Sequence, residues 1–379
     1  MTSSSPNILF VFADEHRQQA LGCMNADPVV TPNFDRFAEQ SAVFTHAVSN
    51  RPVCSPYRAM LFTGKYPHAN KVLTNCNSRN TPYGNHLRAE EHCLTDALAA
   101  SGYDVGYIGK WHLDPTNEAH VPYTEGYRPN GVIWDSYTPP ARRHSIRFWH
   151  AYGCCDNHLH PHYWHNDAAV DERTDVDEWS TRHETDVAIR YLENRNGERD
   201  PDKPFALFMS YNPPHMPFHA VPDEYRDPYA GTSADDLLNR PNVRNDDARS
   251  KALGAVRDYF AQVTGVDDQF GRLLQCLDEN GLRDNTVVVY TADHGEMMGS
   301  HGRMHKTVWY DESFLVPFLI RYPGTVEPGR NDLLLSVPDL MPTLLGLAGH
   351  GAACPSDIHG RDLSAALIGG NGERPQSAL

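Results

Sequence analysis

At 379 residues the chain can bury a large core, as one large α/β domain or two smaller ones. Its formal charge of −16 argues against nucleic-acid binding, which needs a basic footprint. No apolar run reaches the roughly eighteen residues of a membrane span, and eight cysteines show neither zinc-ribbon spacing nor the density of a disulfide scaffold, so free thiols are expected.

Residues 1–6 are polar and uncharged, with no basic leader or small-residue cleavage site. A cytoplasmic location is expected, or a periplasmic or secreted one if a leader has been removed. From residue 8 onward, short apolar β-branched runs alternate with helical patterns, which predicts an α/β fold with a large, mostly parallel sheet between helices. Strands are predicted over 8–13, 105–108, 205–211, 286–291 and 316–321, and helices over 33–40, 94–101, 181–193, 251–277 and 339–347. Two stretches break this rhythm: 139–177, rich in His, Trp, Tyr and acids, and 213–250, rich in Pro, Asp, Asn and Arg. Long loops of this kind serve as lids or rims. With no internal repeat or low-complexity linker, 1–379 is expected to be one main domain carrying these two insertions.

Cys54-Ser55-Pro56-Tyr57-Arg58, followed by Ala59-Met60-Leu61-Phe62-Thr63-Gly64, carries the most chemical information. Alone it also reads as a helix start, with Ser55 as N-cap and Pro56 at the first helical position. Four further loaded segments each follow a predicted strand directly: Asp14-Glu15-His16-Arg17, Gly109-Lys110-Trp111-His112, Asn212-Pro213-Pro214-His215 and Asp293-His294-Gly295, with Lys306 a short loop later. In open α/β sheets ligands bind at such strand ends, where loops and helix N-termini converge. Within an acidic chain, Arg58, Lys110 and Lys306 are candidates for a locally positive pocket.

These segments, in this order, resemble the formylglycine-dependent sulfatases. The likeness extends from residue 7 to residue 363 and includes Thr31-Pro32-Asn33-Phe34-Asp35-Arg36, the helix from Pro338-Asp339-Leu340 to Gly349, and His359-Gly360-Arg361-Asp362-Leu363. The resemblance implies the alkaline-phosphatase-like sulfatase fold and hydrolysis of sulfate monoesters, with a sulfated carbohydrate as the expected substrate. It also implies that a separate maturation enzyme oxidises Cys54 to formylglycine, whose hydrate supplies the attacking oxygen. Asp14, Glu15, Asp293 and His294 would hold one divalent metal, calcium first, with manganese or magnesium left open by the imidazole donor. Glu15, a longer arm where the family commonly has Asp, is the least secure ligand. Arg58, one helical turn beyond Cys54, would fix the nucleophile through paired hydrogen bonds. Lys110 and His112, alternating on an extended segment, would bind sulfate and steady the diol, His112 acting as base in the second step. His215 would bind sulfate, Lys306 would complete the anion clamp, and either His215 or Lys306 would assist the departure of the alcohol. The implied course is attack on sulfur to give a covalent enzyme-sulfate, then collapse to sulfate and aldehyde.

Three matters stay open in the sequence. The stretch 144–165 admits a zinc cluster of His158, His160 and His162, a substrate rim in which Trp149, Tyr152, Tyr163 and Trp164 stack on sugar, or a polar surface loop. The run 171–178 lacks the mid-loop glycine of a calcium loop and reads as a solvated face. Two rival activities remain: a phosphonate or phosphate monoester hydrolase on the same scaffold, and a non-catalytic binder of sulfated glycans. The small C-terminal subdomain usual in the family is expected to be short or missing.

Overall fold

A computed structural model describes residues 5–116, 129–370 and 372–378. In chain order its strands are β1 (Asn7–Ala13), β2 (Ala42–Phe44), β3 (Ala47–Val48), β4 (Asp104–Lys110), β5 (Phe148–Tyr152), β6 (His162–His165), β7 (Thr174–Asp175), β8 (Phe205–Tyr211), β9 (Thr286–Ala292), β10 (Phe318–Arg321), β11 (Gly329–Asn331) and β12 (Leu335–Ser336). Ten of them form one sheet in the order β11-β2-β10-β9-β1-β8-β4-β5-β6-β7, and β3 pairs with β12 separately. The central run β9-β1-β8-β4-β5 is parallel, and antiparallel strands β10 and β6 flank it.

The alternation of side chains along β1 explains the layering. Ile8, Phe10 and Phe12 enter one core, with the helices Cys54–Thr63, Leu94–Ala100 and Leu340–Leu347. Leu9, Val11 and Ala13 enter the other, with Pro32–Ala38, Ser180–Glu193 and Val256–Glu279. A strand covered on both faces must be apolar throughout, as β1, β8 and β9 nearly are. Each fully buried Val, Leu or Phe side chain contributes about 1.5–3 kcal/mol.

All five predicted strands are present, and four of the five helices with shifted ends. The expected 251–277 helix is two, Asp247–Leu253 and Val256–Glu279. The helix at the cysteine also starts differently from expectation: Val53, extended at φ −151° and ψ 137°, is the N-cap, and Cys54 is the first helical residue. The Ser55 N–H is satisfied instead by Asn75 Oδ1 at 3.1 Å, from a segment the local pattern could not reveal.

The stretch 139–177 departs most from expectation. It holds β5, β6 and β7, which extend the main sheet. Trp149, Tyr152, Tyr163 and Trp164 are at most 2% exposed, so they are core residues and not a sugar-stacking rim. His158, His160 and His162 have separate partners, the His215 carbonyl, Asp177 and Asp135, so they form no zinc cluster. The 213–250 stretch stays largely irregular, with short turns at Asp223–Tyr225 and Asp227–Tyr229 and one helical turn at Ala234–Leu237.

Candidate active site

The parallel strands β1, β4, β8 and β9 deliver their C-terminal ends to one edge of the sheet. Asp14, Asn212 and Asp293 follow β1, β8 and β9 directly, and Lys110 is the last residue of β4. Ladder hydrogen bonds continue past the strands, from Asp14 N–H to Tyr211 O and from Asp293 N–H to Ala13 O, which fixes both acidic residues at their backbones. The helix Cys54–Thr63 points its N-terminus at them, placing Cys54 where the helix dipole favours negative charge.

One ligand atom each from Asp14, Cys54, Asp293 and His294 lies within 4.8 Å of the others, and all four residues are buried. The thiol is 3.5 Å from Asp14 Oδ1 and 3.4 Å from His294 Nε2. Burial and the Asp14 charge push Asp293 up to about 7. Two buried carboxylates, an imidazole and a sulfur facing one small volume form a donor set that a divalent cation fits.

Glu15 departs from this group. Its backbone sits at φ 68°, and its carboxylate faces Lys306 Nζ at 3.4 Å and His215 Nε2 at 3.6 Å. Burial opposes ionisation there, but Lys306, His215 and His294 hold its pKa down to about 2. Three of the four expected ligands therefore gather around Cys54, and Glu15 joins Asp14 and His215 in a neighbouring cluster.

Arg58 is fully buried, and its guanidinium bridges Asp14 and Asp293 at 3.3 Å each, donating also to Ser210 Oγ at 2.6 Å and to the Lys110 carbonyl. Among the described residues it makes no hydrogen bond to Cys54, contrary to expectation: the helical turn aims it beneath the carboxylates instead. Lys110 Nζ reaches Asp14 Oδ2 at 2.6 Å and Asn212 Oδ1 at 3.0 Å. Lys306 Nζ is 3.8 Å from the thiol. Burial and Asp14 act to raise the Cys54 pKa, and Lys306, Lys110 and His294 outweigh them, bringing it to about 6.

His112 is not on an extended segment. The strand ends at Lys110, and His112 has φ 54°. Its Nε2 lies 3.0 Å from the Cys76 carbonyl, so that nitrogen carries the proton and the buried, unpartnered Nδ1 is a free acceptor. Burial and the Lys110 and Arg58 charges lower its pKa to about 3, keeping the ring neutral. His215 is opposite in character. Burial and Lys306 act against its charge, but Asp156 at 3.4 Å and Glu15 more than reverse this and raise it to about 9. Its ring Nδ1 donates to the Met216 carbonyl at 2.7 Å.

Cys54, Lys110, His112, His215 and Lys306 all line a cavity of about 750 Å³, and Trp134, Asp156 and Asn75 complete much of its wall. Sequence reasoning missed these three wall residues. Asp156 stands in the stretch read as unpatterned, and Asn75 and Trp134 carry no local signal. Asn212, by contrast, occupies a strand-end position that marked its neighbours.

Sequence and structure comparisons find relatives along almost the whole chain. The Sulfatase family matches residues 6–350. An endo-4-O-sulfatase of Bacteroides thetaiotaomicron is 44% identical over 99% of this chain and 76% of its own length. An ulvan-active sulfatase of Formosa agariphila is 34% identical over 99% of this chain and 68% of its own. A solved Bacteroides thetaiotaomicron structure, described in connection with the metabolism of multiple glycosaminoglycans, superposes with a TM-score of 0.92 at 41% identity, covering 98% of this chain and 79% of the other. A phosphonate monoester hydrolase of Agrobacterium radiobacter is more distant, with a TM-score of 0.67 at 25% identity over 99% of this chain and 79% of its own. With the strand-end carboxylates gathered around the helix-borne cysteine, Lys110 and Lys306 beside it, and a family match over nearly its whole length, the chain belongs to the sulfatase family and is a sulfuric ester hydrolase.

Proposed function

We propose that this enzyme removes sulfate from a sulfated carbohydrate, using a formylglycine made from Cys54 by a separate maturation enzyme. The observation that carries the proposal is the Cys54 side chain between Asp14 and His294 on one side and Lys306 on the other, at the floor of an open cavity. The hydrated aldehyde would supply an oxygen nucleophile and a second hydroxyl whose deprotonation resets the site. Asp14, Asp293 and His294 would hold a divalent cation, calcium before magnesium or manganese, with Glu15 a weaker contributor. That cation would add positive charge at a sulfate oxygen.

The chain's own groups divide the remaining tasks. Lys110 and Lys306 neutralise the anion from two sides. Arg58 balances the carboxylates from beneath. His215, held protonated by Asp156 and Glu15, donates a proton to the departing alcohol. His112, neutral with a bare Nδ1, accepts one from the resetting hydroxyl. A carbohydrate ester is supported by the glycosaminoglycan context of the similar solved structure and by the cavity's size. The single-domain reading of 1–379 belongs to the same proposal, since the site draws residues from Asp14 to Lys306 across one sheet.

The test is mass analysis of the Cys54 peptide from protein made alongside a maturation enzyme, followed by sulfate release from a panel of sulfated mono- and oligosaccharides. Aldehyde at Cys54 together with release from some member supports the proposal. Aldehyde-bearing protein that spares every sulfated sugar but cleaves an aryl phosphonate overturns it. An unoxidised thiol in protein that binds the same sugars without turnover returns the reading to a binder.

A further inference from the structure

A second cavity, of about 320 Å³, lies at the opposite end of the sheet. Strand β9 runs toward Asp293, and antiparallel β10 sets Arg321 against Val288, near the start of β9. Five residues of strand separate Val288 from Asp293, about 17 Å at 3.3–3.4 Å per residue. This cavity therefore does not belong to the active site.

Four arginines line it, Arg36, Arg272, Arg283 and Arg321, against two aspartates, Asp268 and Asp278. Arg321 is the anomaly. It is 3% exposed, packs over Phe37 at 5.4 Å, and among the described residues has no hydrogen-bond partner for Nε or Nη2. Its one hydrogen bond among the described residues, Nη1 to Gln40 Oε1, is a long 3.4 Å. The same amide oxygen accepts from Arg283 Nη2 at 2.7 Å, so two cations share one neutral acceptor. Neither aspartate pairs with Arg321: Asp278 faces Arg283 Nη1 within the cavity at 3.4 Å, leaving the Arg283 Nη2 on Gln40, and Asp268 is held by Tyr225 and Gln269. Arg272 is turned to Asp186 at 2.6 Å. Burial and the Arg283 charge pull the Arg321 pKa down to about 10, and the charges of Asp278 and Asp284 offset this only in part.

Buried charges in folded proteins are paired, and an unsatisfied one calls for a partner. A chain carrying 49 acidic residues has placed none of them as an ion-pair partner of Arg321 among those described. Guanidinium groups match tetrahedral oxyanions through two parallel hydrogen bonds. We infer that this cavity is an oxyanion site in which Arg321, Arg283 and Arg36 bind a sulfate or phosphate group, either free in solution or carried on a polyanionic glycan. The inference is independent of the chemistry assigned to Cys54.

The experiment uses the H215A/K306A protein to weaken anion binding at the active site, and the dependence on Arg283 and Arg321 separates the second cavity from what Lys110 still binds. Thermal unfolding and calorimetric titration are run with sodium sulfate and sodium phosphate against sodium chloride at equal ionic strength. Sulfate should raise the melting temperature above chloride, R283Q should need roughly tenfold more sulfate, and R321Q should lose the response. Without anion, R321Q should melt no lower than its parent, because it removes an uncompensated buried charge. If R321Q does not fold, R283Q and R36Q carry the comparison. A sulfated oligosaccharide acting at lower concentration than inorganic sulfate, with the same dependence on Arg283, identifies the glycan as the source. A response to inorganic ions alone identifies the free anion. An unchanged sulfate response in R283Q and R321Q, or none beyond chloride in the parent, overturns the inference.

Discussion

Replacing Arg58 tests the charge balance of the site most directly. The guanidinium is wholly buried, bridges Asp14 and Asp293, and also satisfies Ser210 Oγ and the Lys110 carbonyl. In R58A, Lys110 still compensates Asp14 at 2.6 Å, but Asp293 keeps only the Glu15 N–H and His294. Breaking a buried pair by removing one partner costs about 3–5 kcal/mol. At about 2.1 cal/mol/K per residue, 379 residues give an unfolding entropy near 0.8 kcal/mol/K, so about 4 kcal/mol corresponds to a melting temperature lowered by about 5 °C. The assay is scanning calorimetry of wild type, R58K and R58A at one scan rate, in chelator and in millimolar divalent cation. R58K, which retains charge but not the fork, should fall between the other two. Cation should narrow the gap, since it supplies Asp293 with another counter-charge. A gap under about 1 °C in chelator, or one that cation leaves unchanged, would refute the argument that Arg58 balances these carboxylates.

Other outcomes follow from the same geometry. His215→Ala should lower kcat on a sugar sulfate by about 10²–10⁴, much less on 4-nitrophenyl sulfate, whose leaving group needs no proton, and equal losses would remove the acid role. Chelation should abolish turnover and lower the melting temperature, and at a cation concentration near 100 times Kd the restored stability should approach about 2.7 kcal/mol. Asp293→Asn should erase that cation response. Glu15→Gln should weaken cation binding less than Asp14→Asn in calorimetric titration, because its carboxylate lies outside the cluster around Cys54. Trp149→Ala should destabilise by about 3–5 kcal/mol while leaving KM for a glycan unchanged, the reverse of what a stacking residue would show in thermal melts and steady-state kinetics.

What the sequence made legible follows the physics of each position. A parallel strand covered on both faces must be apolar along its length, so β1, β8 and β9 stood out, and the polar residues ending them read as a site or as ordinary strand-to-turn exits. Asp14, Asp293 and, through its motif, Cys54 were readable for that reason. Orientation was not. Glu15 and His112 adopt left-handed backbone that no pattern of residue types announces, and that turn sends Glu15 away from the cysteine and invalidates an extended reading around His112. Arg58 had the right spacing to reach the nucleophile, but carboxylates from two other strands compete for the same guanidinium, and the buried charges win it. The His- and Trp-rich stretch misled for a related reason: β5, an interior strand between β4 and β6, buries His150 against His183 at 3.0 Å, so a core position is filled by a residue type usually counted as polar. Once β5 and β6 are in place, Asp156 and His158 between them reach the loop after β8. His158 Nε2 bonds the His215 carbonyl at 2.8 Å and Asp156 faces the His215 ring, so the region least legible in the sequence sets where the histidine proposed as the acid stands.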